Sequence, residues 1–499
     1  MKKFLSILLS VIIAFSLSVT IFAKSTDDKC DCGNIPVIFV TGFAYTELVA
    51  NAGTEDEYGA FGVEPEAITD MITGLIAPLL WMLVSRDFDY FAHRLSADVM
   101  ELFYDASCDE NGVPKNPTVD IERFNPPTAE HYKDDYFTFR YDWRKDLFEL
   151  AAELNDYIED TKRLTKHDKV AIRAESMGGA VTMTYLKAYG YDSVETVVMQ
   201  SSAFDGISTI TSLFLGDLTI NSQSLVNYIG NFMEGNAPDM VFYRAIYLSL
   251  AKFVFNPVVA LLSAFIGSID EIVYDECIKP LFGYIPGLWA FVTPEAYEDA
   301  KAFMLDEEVN AELIKKIDRY RYEVQDKRDE IIADAMANGV GFAILSNYGK
   351  GALPIGEDSV VQSDFLIETE HTSLGATCAN YGETLGEDYV QAVNDGHNHL
   401  SSDGMIDAST CSFPEITWFV KDMMHTWYTD GYDEFVYKLI YNEGQETVHT
   451  FPEYPQFLVN NQETEALEPL TTENSDTQST KVNIFALIST WIEQIKNAE

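Results

Sequence analysis

The sequence predicts an α/β protein, a mostly parallel sheet flanked by helices with a helical cap inserted between two strands. Three observations predict it. Short apolar runs alternate with amphipathic stretches between Ile35 and Met199, the order produced by parallel strands and crossover helices. One serine, Ser176, stands between small residues where an apolar run gives way to a helix. Residues 205–335 then hold helical, often apolar segments with no clear strand, until Gly339-Val-Gly-Phe-Ala-Ile-Leu-Ser346 restores the strand pattern.

Taken in order, Met1-Lys-Lys3, an apolar run from Phe4 to about Phe22 and then Ala23 have the form of a secretory signal over residues 1–23. The mature chain is therefore expected outside the cell, with a retained anchor as the alternative. Ile35-Pro-Val-Ile-Phe-Val40 reads as a buried strand stopped by Thr41-Gly42. Met71 to Val84 is nearly all apolar but too short to span a membrane, so it is a core helix or a lipid-facing flap. Tyr136 to Arg140 is a second strand. Asp146 to Lys162 has helical period, with Leu147, Leu150, Ala151, Leu154 and Ile158 on one face. Val170 to Arg173, Gly179 to Ala188 and Val194 to Met199 follow as strand, helix and strand.

The core is thus expected over 24–204 and 336–445, with the cap at 205–335. Thr417 to Val420 is the expected last strand and Gly431 to Tyr441 the closing helix. The apolar run from Tyr247 to Ile269 is broken by Lys252, Asn256 and Pro257, and reads as cap helices rather than a membrane span. Its Phe253, Phe255, Val258, Leu261, Leu262 and Phe265 are expected to wall an acyl pocket. Residues 460–480 are polar and read as a linker. Residues 481–499 read as an amphipathic helix, for docking or for a lipid surface. A net charge of −47 argues against nucleic acid as a partner. The even number of cysteines, at 30, 32, 108, 277, 378 and 411, permits disulfides in an exported chain.

Ala174-Glu-Ser-Met-Gly178 is the candidate catalytic stretch. A serine on a sharp strand-to-helix turn needs small residues two positions either side, and Ala174 and Gly178 meet that need. Such a turn presents the hydroxyl beside the first helical N–H groups. A serine nucleophile needs a base, and the base an orienting acid, in the chain order Ser, acid, His. His425 follows the last expected strand, whereas His397 and His399 have no strand leading into them. Asp358, Asp364 and Asp403 compete as the acid. The oxyanion donors are expected to be the N–H groups of Met177 and Phe43, with Ala44 as second choice to Phe43. Asp395, His397, His399, Asp403 and Asp407 alternate carboxylates with imidazoles, a pattern able to ligate a metal. It is read here as a solvated polar loop, and neither metal nor cofactor is assigned.

Val37-Ile-Phe-Val-Thr-Gly-Phe43 resembles the first strand and oxyanion loop of α/β-hydrolase lipases. Tyr141-Asp-Trp-Arg144 resembles a segment of the lecithin:cholesterol acyltransferase-like group, and Ser-Met-Gly is common to both. Asp364-Phe-Leu-Ile-Glu-Thr-Glu-His-Thr-Ser-Leu-Gly375 resembles their acid loop, which ranks Asp364 first among the acids. Ala174 and Glu175 depart from the Gly-His usual before the nucleophile. The resemblance covers roughly residues 35–200 and 340–440. It implies an α/β-hydrolase fold and a secreted serine esterase or lipase acting on carboxylic, lipid esters. An O-acyltransferase is the alternative within that chemistry. A non-catalytic surface protein on the same scaffold is the alternative outside it.

Overall fold

The computed structural model describes residues 30, 34–61, 65–121, 137–231, 259, 265–356, 360–442, 444–461 and 464–475. The expected signal at 1–23, Asp358, most of the 247–269 run and the helix expected at 481–499 lie outside the described residues.

Eight strands form the central sheet: β1 (Val37–Val40), β2 (Phe137–Phe139), β3 (Val170–Glu175), β4 (Val194–Gln200), β5 (Gly341–Tyr348), β6 (Thr417–Lys421), β7 (Phe457–Asn461) and β8 (Ala466–Pro469). Their spatial order is β8-β7-β6-β5-β4-β3-β1-β2. Every neighbouring pair is parallel except β7 with β8. β3 and β5 are buried along their whole length. That is why Val170–Ile172 and Phe342–Leu345 within them read as unbroken apolar runs rather than alternating ones.

After α1 (Pro65–Ser85) and α2 (Phe88–Phe103), further helices cover the sheet. In α3 (Leu147–Thr165) the predicted face of Leu147, Leu150, Ala151, Leu154 and Ile158 is buried. The helix starts where the Asp146 side chain accepts the Phe148 N–H at 3.1 Å and ends at Lys166 in the left-handed region, φ 60°. Next comes α4 (Met177–Tyr189), buried from Met177 through Leu186. A glycine at 178 lets α4 sit directly on β1, since a Cβ there would lie 2.2 Å from the Val40 carbonyl oxygen. Between β4 and β5 the described chain is helical, including α5 (Ser208–Phe214), α6 (Ser222–Asn231), α7 (Tyr297–Met304), α8 (Ala311–Glu323) and α9 (Arg328–Ala337).

The sheet does not end at Thr417–Lys421 as expected. The described residues of the expected 460–480 linker begin inside β7 and continue through β8, so they are not a simple linker. An edge strand needs only one apolar face. In Ala466-Leu-Glu-Pro469 only Leu467 is buried, so the stretch reads as polar. Met71–Val84 lies within a helix, Pro65–Ser85, that is not a core helix. Its Met82 packs against Phe91, Ala92 and Ile269, while Ile76, Leu80, Trp81, Leu83 and Val84 are exposed. No helix among the described residues is long and apolar enough to cross a membrane. The five described cysteines, 30, 108, 277, 378 and 411, are unpaired, so no disulfide forms among them.

Candidate active site

Ser176 joins β3 to α4 with φ 54° and ψ −121°, a conformation costing a non-glycine residue on the order of 1–3 kcal/mol. The surroundings hold it there. Its N–H donates to the Gln200 carbonyl at 3.1 Å, and its carbonyl accepts the Gly179 N–H at 3.0 Å. Gly179 is itself required, because a Cβ would meet Ser202 Oγ at 2.4 Å. Met177 heads α4, where an N–H has no intrahelical acceptor.

The loop after β1 passes beside the hydroxyl. A Cβ on Gly42 would lie 3.1 Å from Ser176 Cβ and 3.6 Å from its Oγ, which places neighbouring Phe43 at the same site. Two residues of the Tyr141-Asp-Trp-Arg144 segment brace this loop. The Tyr141 hydroxyl donates to the Thr41 carbonyl at 2.7 Å, and the Trp143 ring packs on Phe43 with centroids 4.6 Å apart. Asp142 and Arg144 form the buried two-point ion pair underneath, at 2.9 and 2.8 Å. The bracing role of Tyr141 and Trp143 was not read from the sequence. Their position straight after β2, the strand beside β1, was the available signal.

Asp364 and His425 come together although 61 residues separate them. His425 Nδ1 lies 2.7 Å from Asp364 Oδ2, while Oδ1 of the same carboxylate accepts the N–H groups of Leu366 at 3.1 Å and Ile367 at 2.8 Å. Asp364 is fully buried. The carboxylate assigns the proton to Nδ1 and leaves the Nε2 lone pair free for a neighbouring group. Burial pulls the His425 pKa down, but the charge and hydrogen bond of Asp364, aided by Glu175, outweigh it and the net shift is upward.

The other sequence candidates lie elsewhere. Asp403 accepts from the Tyr348 hydroxyl and from Lys421 Nζ, both at 3.0 Å, as a buried ion pair. Asp407 caps the Ala392 N–H at 2.8 Å and the Ser409 N–H at 3.0 Å. His397 and His399 sit with Asp395 and Glu415 in a separate cluster.

Ser176, His425, Gly42 and Phe43 line one cavity of about 580 Å³. The helical insertion contributes Ile210, Leu213, Phe214, Tyr228, Phe282 and Phe291 to its wall. Tyr228 also stacks on Phe365, next to Asp364, with ring centroids 4.1 Å apart. Of the expected wall, Phe253, Phe255, Val258, Leu261 and Leu262 lie outside the described residues, and Phe265 packs instead on Phe91, at 5.6 Å between ring centroids. Glu175 also lines the cavity, 4% exposed. Burial raises its pKa to about 7, against the lowering pull of His425 and Arg173.

No family model matches the chain, and no curated protein matches it. Among solved structures, the chain is similar at 18% identity to one described as the crystal structure of the Tle4–Tli4 complex. The match has a TM-score of 0.20 and covers 36% of this chain and 48% of that one. The match thus spans about half the length of that solved chain.

Proposed function

We propose that the chain is a secreted serine hydrolase of the α/β-hydrolase kind, cleaving carboxylic esters with apolar acyl groups. The observation that carries this is the buried His425–Asp364 bond, 2.7 Å long, on the cavity that Ser176 lines. Ser176 Oγ attacks the ester carbonyl carbon and passes its proton to His425 Nε2. Asp364 holds the imidazole in the tautomer that accepts it and stabilises the imidazolium. The N–H groups of Phe43 and Met177 receive the negative charge forming on the carbonyl oxygen. His425 returns the proton to the leaving alcohol, and water resolves the acyl-enzyme by the same steps in reverse. No cofactor enters this chemistry.

The cavity wall supports this substrate class. Ile210, Leu213, Phe214 and Phe291 offer an acyl chain an apolar lining, and each methylene buried contributes up to ~0.8 kcal/mol. The exposed apolar side chains of Pro65–Ser85 suit a lipid surface. Secretion rests on the signal-like residues 1–23.

A fluorophosphonate probe is expected to label the wild type and spare Ser176→Ala. Hydrolysis of p-nitrophenyl esters is expected to rise in kcat/KM from acetate to octanoate and to fall by at least ~10³-fold in Ser176→Ala. Undiminished hydrolysis by a folded Ser176→Ala protein would sink the proposal. A preference for acetate over every longer ester would leave the nucleophile in place and remove the lipid assignment.

A further inference from the structure

We propose that Asp395, His397, His399 and Glu415 form a site for one divalent first-row transition cation, zinc being the best fit, with His449 at its rim. One ligand atom from each of the first four lies within 4.8 Å of the others. Only part of this set is visible as a sequence pattern, because Glu415 and His449 arrive from distant segments.

His399 makes the strongest case. It is fully buried. The Gln456 side-chain N–H₂ donates to the Pro414 carbonyl at 2.7 Å and the Thr417 carbonyl at 3.2 Å, which fixes the amide orientation. The Gln456 oxygen therefore faces His399 Nδ1, at 2.7 Å, and Nδ1 carries the proton. Nε2 is left with a lone pair aimed at Asp395 Oδ2, 2.8 Å away, and at Glu415 Oε1, 3.7 Å away. Lone-pair donors that close need a cation or a second proton between them.

Possible ligand atoms crowd together at His397 as well. Its Nδ1 is 3.0 Å from Glu415 Oε1 and 3.0 Å from His449 Nε2, and His449 Nε2 is 3.2 Å from Glu415 Oε2. Imidazole nitrogens and carboxylate oxygens converge on one spot. Zinc bound to nitrogen or oxygen at about 2.0–2.2 Å gathers ligands at such spacing. Two carboxylates balance its charge, and imidazoles select it over calcium or magnesium. Gln456 is the outer partner that orients a ligating histidine. Backbone bonds hold the loop in shape: Asp395 Oδ1 accepts the His397 N–H at 2.9 Å, and Gln391 Oε1 accepts the His399 N–H at 2.7 Å. The His397, His449 and Glu415 side chains are 40–50% exposed, so an ion can enter.

The site is structural, apart from the chemistry at Ser176. Glu415 lies in the short turn Pro414–Ile416 that leads into β6, and His425 follows the strand's far end. Five strand residues at ~3.3 Å each separate the two. The cation would pin the 395–399 loop and the segment after the closing helix Asp430–Tyr441 to the start of β6.

The test uses the full chain, stripped with chelator, dialysed and titrated calorimetrically with zinc and, separately, with calcium. One zinc per chain is expected, bound more tightly than calcium and raising Tm, and cobalt(II) in its place is expected to show tetrahedral visible absorption. His397→Ala is expected to weaken zinc at least about tenfold. It removes a half-exposed ring, so it keeps the apo fold where His399→Ala, in the core, endangers it. Ester hydrolysis per folded molecule is expected to be the same with and without zinc. The proposal is overturned if zinc fails to bind the folded chain, if His397→Ala binds it equally well, if calcium binds more tightly, or if hydrolysis requires the metal. The first of these, with both His399 ring nitrogens seen protonated by NMR, would assign the cluster to an imidazolium instead.

Discussion

Asp364 and Asp403 are both buried aspartates followed by apolar residues, and what each one touches sets the consequence of losing it. Asp364 holds His425 Nδ1 at 2.7 Å, and Asp403 holds Lys421 Nζ at 3.0 Å. Asp364→Asn is expected to lower kcat by roughly 10³–10⁴-fold, because the amide cannot hold the reactive tautomer. Asp403→Asn is expected to spare kcat but to cost about 3–5 kcal/mol of stability, since it strands a buried lysine. Steady-state kinetics beside denaturant titration separates the two, and a dead, stable Asp403→Asn would reverse the assignment. Glu175 supplies a pH dependence. Its folded pKa of about 7 lies above the ordinary 4.5, so the folded chain binds its proton more tightly than the unfolded one. That contribution to stability is full below about pH 4.5 and is lost as pH rises to about 7. Glu175→Gln is expected to flatten the fall in urea midpoint between those pH values. The ionised carboxylate also raises the His425 pKa. The acid limb of kcat/KM is therefore expected to move to lower pH in Glu175→Gln, and a limb moving upward would contradict this account.

Among elements, the loop after β1 depends on the segment after β2. A single Tyr141 hydroxyl bonds the Thr41 carbonyl at 2.7 Å, two residues from Phe43. Tyr141→Phe leaves that buried carbonyl with one partner fewer, at a cost of about 1–2 kcal/mol. If the Phe43 N–H receives the oxyanion, the loosened loop is also expected to lower kcat about tenfold with KM little changed. Stopped-flow acylation rates would read this directly, and an unchanged acylation rate would separate the brace from the oxyanion site. The strand-to-helix turn itself was legible in the sequence. Its small residues answer to contacts a few ångströms long, such as Gly178 against the Val40 carbonyl. Strand β8 was not legible, because an edge strand buries one side chain in two and carries no apolar run.

Across the whole molecule, Ile76, Leu80, Trp81, Leu83 and Val84 stand out to solvent on a chain of net charge −47. An apolar face on an otherwise acidic surface favours neutral or zwitterionic lipid over anionic lipid. The double variant Leu80→Asp, Val84→Asp is expected to hydrolyse dissolved short-chain esters at the wild-type rate. On emulsified triglyceride it is expected to lose at least about fivefold, read as rate against interfacial area. Equal loss on both substrates would show that the helix serves the fold rather than an interface.

The features legible in residue order alone are local or periodic. Parallel strands buried on both faces, a helix with one apolar stripe, and a serine between small residues at a strand's end all follow from neighbours within a few positions. The tertiary structure decided what depends on distant residues meeting. Asp364 and His425 are 61 residues apart and touch, while Asp403, equal to Asp364 in local pattern, folds against Lys421. Glu415 and His449 join His397 and His399 from separate segments, while Asp407 leaves them for backbone N–H groups. The cavity wall likewise comes from residues of the insertion whose inward-facing sides only packing selects. Periodicity records which side of an element is buried, and it carries no information about which distant partner covers that side.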